Sequence, residues 1–175
     1  MEHAELVALI RNGITEPGGR WAELGAGTGA FTAALADLLG PGARITAVDR
    51  DRRALRTLED RLGARAGLTL DTVEADFTRP LGLSQLDGIL MANSLHFVRR
   101  KEPVLAAVHE MLRPGGTLLL VEYGSDRGNP WVPHPLSFST WEATAEAAGF
   151  ADTRLVGTRP DRHLGSMYAA ASTRP

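Results

Sequence analysis

Short apolar runs alternate with amphipathic stretches from residue 20 to the end of the chain, and that alternation limits the fold more than any other feature. Residues 20–24, 44–48, 68–73, 86–92 and 117–122 read as strands. Most are apolar on both faces, which suits a parallel sheet covered by helices on each side. Residues 68–73 alternate more strictly, as expected of a strand nearer an edge. Between the strands, Phe31, Ala34, Leu35 and Leu38 share one helical face, and Gly40-Pro41-Gly42 ends that helix. Leu55, Leu58 and Leu62 mark a second helix, stopped at about Gly63. Val104, Leu105, Val108, Met111 and Leu112 mark a third, with Pro103 suited to its first turn and Pro114-Gly115-Gly116 behind it. A fourth is expected to begin at Ser139, because Ser139-Thr140-Trp141-Glu142 fits a capping box, and to end near Gly149. Strands at about 153–157 and 166–171 complete the sheet, and residues 6–10 fit a leading helix within 1–14 that ends near Gly13. The expected fold is therefore α/β: one domain over residues 1–175, built on a single doubly wound, mostly parallel sheet with helices on both faces.

Composition supports one soluble globule. The 175 residues are 43% hydrophobic, enough for a real core in a single domain. A formal net charge of −2 gives no electrostatic case for nonspecific binding to nucleic acid or a membrane surface. With no cysteine, disulfide scaffolds, thiolate zinc sites and cysteine nucleophiles are excluded. Lys101 is the single lysine among 19 basic residues, a bias that reads first as base composition. Leu6 to Ile10 is too short and too acidic in its flanks for a secretory signal, and nothing approaches the ~18 apolar residues of a membrane span. A cytoplasmic protein is expected.

The chemistry starts at Glu23-Leu24-Gly25-Ala26-Gly27-Thr28-Gly29, where the first strand meets its helix. Glycines there allow a tight turn and close approach of backbone to a ligand, and the following helix offers free N–H groups. The spacing meets the dinucleotide pattern only loosely, and a carboxylate at Glu23 repels pyrophosphate but attracts a cationic ligand. This segment resembles the first motif of class I S-adenosylmethionine-dependent methyltransferases. Three further segments resemble the same family in order. Asp49 ends the second strand, where a carboxylate accepts both ribose hydroxyls; Asp51 is free to cap the helix that follows. Glu74-Ala75-Asp76-Phe77 follows the third strand, and the resemblance gives Asp76 the adenine amino group and Phe77 the ring. Leu86 to His96 resembles the fourth-strand segment and Leu112 to Leu118 the turn into the fifth strand. The resemblance thus implies S-adenosyl-L-methionine as cofactor, held by Glu23, Gly25, Ala26, Gly27, Asp49, Arg50, Asp76, Phe77, Asn93 and Ser94. It also implies the strand order 3-2-1-4-5-7-6 with the last strand antiparallel.

Methyl transfer is a displacement at an activated carbon, so alignment is the main requirement and a base is needed only when the acceptor must lose a proton. The acceptor is expected beside the fourth and fifth strand ends, near Asn93, Ser94, His96, Glu122 and Tyr123. His96 and His134 are the candidate general bases, each with a packing or surface-turn alternative. The stretch 124–137, with Pro130, Pro133 and Pro135, is a candidate acceptor lid; Trp131 in it and Phe138 just after it either line an aromatic pocket or anchor the loop, and Trp141 is expected in the core. Nucleic-acid acceptors are argued against: Asn93-Ser94-Leu95-His96 departs from the Asn/Asp-Pro-Pro-aromatic segment of amino-methylating enzymes, cytosine C5 transfer needs a cysteine, and about 19 residues before the first strand leave no room for a recognition domain. No acidic cluster between Asp87 and Glu102 suggests a metal. A small-molecule acceptor is expected. The rival readings are a non-catalytic binding module and a nicotinamide-dependent reductase, whose expected Tyr-x-x-x-Lys is met neither at Tyr123 and Arg127 nor at Tyr168 and Ser172.

Overall fold

The fold rests on a seven-stranded sheet whose order, β3-β2-β1-β4-β5-β7-β6, is that expected from the family resemblance. The computed structural model describes residues 2–161 and 164–175. In chain order the elements are α1 (His3–Ile10), β1 (Arg20–Leu24), α2 (Ala30–Leu39), β2 (Arg44–Asp49), α3 (Arg52–Leu62), β3 (Thr69–Glu74), β4 (Leu86–Ala92), α4 (Glu102–Met111), β5 (Leu112–Tyr123), α5 (Phe138–Ala147), β6 (Ala151–Asp161) and β7 (Gly165–Thr173). β1 to β5 pair in parallel, and β7 runs antiparallel to both β5 and β6.

The period of two along each strand sorts the core into two layers. Leu24 of β1, Ile89 and Met91 of β4, Leu118 and Leu120 of β5 and Tyr168 of β7 face α4 and α5, where they meet Val104, Leu105, Val108, Trp141 and Ala145. Trp21, Ile45, Leu90, Leu119, Val121 and Met167 face the other way, against Leu6, Leu9 and Ile10 of α1 and Phe31, Ala34 and Leu35 of α2. α3 extends this second layer, with Leu55, Leu58 and Leu62 on Ala47 and Ala33. Trp141 is fully buried, as its helical position suggested. β3 is an edge strand, in keeping with its alternation.

The local signals hold in part. Asp51 caps α3, accepting from the N–H groups of Arg53 and Ala54, and Pro103 sits in the first turn of α4. The capping box at Ser139 does not form. Ser137 is the N-cap of α5 and accepts from Thr140 N–H, so the helix starts two residues earlier and Ser139 lies in its first turn. β6 and β7 run well beyond 153–157 and 166–171, because they pair along their full lengths as a long hairpin. β5 begins at Leu112 and not at residue 117: Leu112 pairs with Leu86, the next pair is Thr117 with Gly88, and residues 113–116 bulge between them. The bulge is tied by Gly115 N–H to Arg174 O and Arg174 N–H to Gly116 O. Pro114-Gly115-Gly116 is thus a bend inside a strand edge and not a separate turn.

The chain lays β2 and β3 on one side of β1, then crosses to lay β4 and β5 on the other. Ligand crevices in open α/β sheets form beyond the carboxyl ends of the strands at such a switch point.

Candidate functional site

A cavity of about 310 Å³ opens at that switch point, lined by Gly25, Asp49, Arg50, Ala75, Asp76, Phe77, Thr78, Asn93, Ser94, Phe97 and Val98. Its walls follow from local sequence. Gly25, at the end of β1, has φ +85°, and a Cβ there would lie 2.5 Å from that of Ser94. Across the same seam the Ser94 hydroxyl donates to Leu24 O at 2.6 Å. Any side chain at position 25 therefore strains the backbone and pushes β1 and β4 apart where the crevice begins. Asn93, the first residue after β4, adopts φ +53°, a region that asparagine tolerates better than most residues. Its N–H donates to Val121 O, while its Oδ1 is buried without a partner. A buried acceptor left unpaired costs about 1–3 kcal/mol, so a donor from a ligand is the natural completion.

Two carboxylates frame the cavity. Asp49 accepts from Gly27 N–H at 2.7 Å through Oδ2 and from Asp51 N–H at 2.8 Å through Oδ1. It thereby fixes the glycine loop, and each oxygen keeps a lone pair for a ligand hydroxyl. Asp76 accepts from the N–H and hydroxyl of Thr78, both through Oδ1; those bonds hold its carboxyl below the ordinary range and leave Oδ2 for a ligand. Phe77 beside it offers an aromatic face.

Glu23 is placed differently from the expectation of a carboxylate facing the ligand. It is 1% exposed, does not line the cavity, and accepts from the Thr32 hydroxyl of α2 at 2.5 Å. Burial raises its pKa to about 8 against the opposing Thr32 bond, and the Asp49 charge adds to the rise. Ala26 and Gly27 also lie outside the lining; Ala26 packs on the α3 side, and Gly27 contributes through its bond to Asp49. Thr32, Thr78 and the 61% exposed Phe97 were not singled out from sequence. The sequence carries no signal for Thr32, because its bond to Glu23 depends on how α2 packs over the end of β1.

On the β5 side, His96 is buried in a short 3-10 turn after β4 (Leu95–Phe97). Its Nδ1 lies 2.9 and 3.1 Å from the two carboxylate oxygens of Glu122, which is itself fully buried at the end of β5. Glu122 Oε1 also accepts from Tyr123 N–H. The carboxylate only accepts, so Nδ1 holds the proton and Nε2 keeps its lone pair in the neutral ring. Nε2 has no hydrogen-bond partner among the described residues. His134 does not bring its ring to this pair; its backbone N–H donates to His96 O at 3.0 Å.

The loop 124–137 is fastened along its length. Asn129 Oδ1 accepts from Trp131 and Val132 N–H, Asp126 accepts from Ser137 N–H, and Val132 and Leu136 are buried. Phe138 packs edge-on against Tyr168 and so anchors the loop to the sheet, whereas Trp131 stands 79% exposed. Among the described residues no His, Cys, Asp and Glu cluster could hold a metal, and no helix is long and apolar enough to cross a membrane.

Known proteins converge on this region. A family described as a methyltransferase domain matches residues 22–118, from β1 into β5. Fusarielin synthase of Gibberella zeae is 27% identical over 178 residues, covering 86% of this chain and 7% of the synthase. The ubiquinone/menaquinone biosynthesis C-methyltransferase of Ectopseudomonas mendocina is 33% identical over 117 residues, covering 65% of this chain and 45% of that protein. The chain thus spans less than half the length of these curated relatives. Burkholderia thailandensis 1,6-didemethyltoxoflavin-N1-methyltransferase, solved with bound 1,6-didemethyltoxoflavin and S-adenosylhomocysteine, superposes with a TM-score of 0.74 at 23% identity over 98% of this chain and 77% of that one.

Proposed function

Because the chain belongs to the methyltransferase-domain family, and so to the class I enzymes that use S-adenosylmethionine, we propose that it methylates a small molecule that must lose a proton from carbon or oxygen, with His96 as the base. The observation behind this reading is the buried His96–Glu122 pair beside the cofactor crevice. Aligning groups alone suffice for an acceptor that already holds a free lone pair, so a carboxylate-backed imidazole suits one that does not.

The residues present fit the cofactor. Asp49 offers two acceptors for ribose hydroxyls, Asp76 Oδ2 and the face of Phe77 suit an adenine, and the orphaned Asn93 Oδ1 seeks a donor. A positive charge above the loop favours ionisation of the buried Glu23 beneath it, whose pKa of about 8 otherwise keeps it protonated at neutral pH. When bound, the cofactor supplies a methyl carbon made electrophilic by its sulfonium. With the methyl donor bound, His96 Nε2 would take the proton that the acceptor gives up, freeing the acceptor's electron pair for the methyl carbon, with the donor's sulfur as leaving group. Glu122 holds the imidazole in the tautomer that makes Nε2 the base and faces the imidazolium that results.

The named relatives support a small acceptor: one acts in quinone biosynthesis and the structural neighbour holds a small heterocycle. The near-neutral composition, −2 in formal charge, supports the absence of a nucleic-acid or membrane partner. The test is turnover of three probe classes, a hydroquinone, a 1,3-dicarbonyl and a nitrogen heterocycle, by the wild type and His96→Gln. Turnover of one of the first two, lost by about 10²–10⁴ in the variant, is expected. Turnover of the heterocycle alone, unchanged in the variant, contradicts the proposal.

A further inference from the structure

The loop 124–137 and the segment that bears His96 are joined by one direct hydrogen bond and by Lys101, which bonds to both. His134 N–H donates to His96 O at 3.0 Å. Lys101, the N-cap residue of α4, donates from Nζ to Val98 O and to His134 O, each at 2.9 Å. Residue 134 is therefore held at both its N–H and its C=O, and the turn at two of its carbonyls.

The identity of the cation is informative. Lys101 is the single lysine among 19 basic residues, follows the exposed Arg99 and Arg100, and is itself only 8% exposed. A guanidinium presents its donors in a planar fork matched to carboxylates, whereas an ammonium projects three donors from one point and can meet carbonyls that converge on it. The sequence thus departs from its arginine bias where a buried cation must satisfy two backbone oxygens. Burial draws Lys101 below the ordinary lysine range, and the charges of Glu122 and then Glu102 pull it back. The ammonium accordingly lies in the field of the carboxylate that orients His96.

We propose that Lys101 is a positioning residue for methyl transfer: its ammonium clasps loop 124–137 to the His96 turn, so that the acceptor side of the site is preformed and the imidazole is held in place against Glu122. The kinetic part of this inference rests on the reading of His96 as base; the clasp itself does not.

The experiment uses the full chain with Lys101→Met and Lys101→Arg. Amide exchange is followed by NMR, S-adenosylhomocysteine binding by calorimetry, and turnover on whichever probe class the wild type methylates fastest. In the wild type, the His134 amide is expected to exchange at least tenfold more slowly than that of Gly128. In Lys101→Met it should accelerate at least tenfold, with affinity for S-adenosylhomocysteine within twofold, kcat down at least tenfold and KM for S-adenosylmethionine unchanged. Lys101→Arg should show the same losses, because charge without the point geometry does not remake both bonds. Unchanged exchange in both variants, or full recovery of kcat by arginine, overturns the proposal. If Lys101→Met does not fold, the wild-type comparison and Lys101→Arg still decide it, since a His134 amide as labile as that of Gly128 refutes the clasp. Should His96→Gln keep wild-type turnover while Lys101→Met frees the loop and lowers kcat, the base assignment falls and the clasp stands.

Discussion

The two halves of the crevice are built by different means. On the β1–β3 side, the ligand-facing groups are set by backbone shape close to each strand end: the positive φ of Gly25, the Asp49 bonds to Gly27 and Asp51, and the Asp76 bonds to Thr78. On the β4–β5 side, the working groups are side chains brought together from distant parts of the chain. His96 meets Glu122 from 26 residues away, and Lys101 reaches His134 from 33. The first half is a frame whose form is written locally. The second is an assembly whose function depends on the fold being complete. If this division is real, variants in one half should leave the other's measurable property alone.

The largest expected effect lies in the acceptor half. Glu122→Gln should lower kcat by at least 10²-fold, and the double variant with His96→Gln should be no worse than either single one, if the hydrogen-bonded pair acts, as proposed, as a unit. Additive losses, measured in single-turnover assays on the best probe, would dissolve the pair into two independent residues.

Next comes the cofactor half. Asp49→Ala removes the two carboxylate oxygens proposed to accept from the ribose and frees Gly27 N–H, so affinity for S-adenosylhomocysteine should fall at least tenfold, a charge-assisted hydrogen bond being worth about 1.5–3 kcal/mol. Calorimetry showing unchanged affinity in a folded variant would remove Asp49 from the site.

A third effect is linked to pH. The pKa of Glu23 in the folded chain is pushed up to about 8 by burial, above the ordinary glutamate value of 4.5, so the folded state keeps a proton that the unfolded state has lost. The sign follows: its contribution is fully present below pH 4.5, and stability falls as pH rises from there through about 8. Glu23→Gln should flatten that decline in chemical-denaturation curves between those values. A cationic cofactor favours the ionised form, so affinity for S-adenosylmethionine should tighten as pH rises through about 8 in the wild type and not in the variant. A pH-independent affinity in both would detach Glu23 from the cofactor.

The smallest effect concerns Trp131. At 79% exposed it contributes little to the fold, so Trp131→Ala should change stability by no more than about 0.5 kcal/mol and cofactor affinity hardly at all. A two- to fivefold loss in kcat/KM for acceptor is expected if the loop faces incoming substrate. A thermal shift matching that of a core variant would make Trp131 part of the scaffold.

This contrast also explains what the sequence reveals. The sheet, its order and the frame of the switch-point cavity are legible because glycine spacing, strand ends and acidic positions are local signals that the family resemblance ties together. Seven of the ten cofactor residues named from sequence line the cavity; Glu23, Ala26 and Gly27 support it from beneath or beside it. His96 was legible as a candidate by residue type, but its bond to Glu122 needs the β4–β5 pairing to exist. His134 looked like a second base, yet only its backbone takes part, since a ring flanked by prolines says nothing of which atoms a loop will use. Lys101 looked like a compositional residue, because carbonyl partners leave no trace in side-chain patterns. The α5 start was misplaced for a related reason: Ser137 and Ser139 are equally good caps, and only the loop's approach, through Asp126 to Ser137 N–H, selects the first.

The most direct test of the division is a calorimetric titration of His96→Gln with S-adenosylhomocysteine. A dissociation constant within twofold of the wild type is expected, because the imidazole lies outside the cavity lining and, as the proposed base, acts only on a bound acceptor. A tenfold or greater loss, matching that expected of Asp49→Ala, would place His96 in the cofactor half and contradict the account.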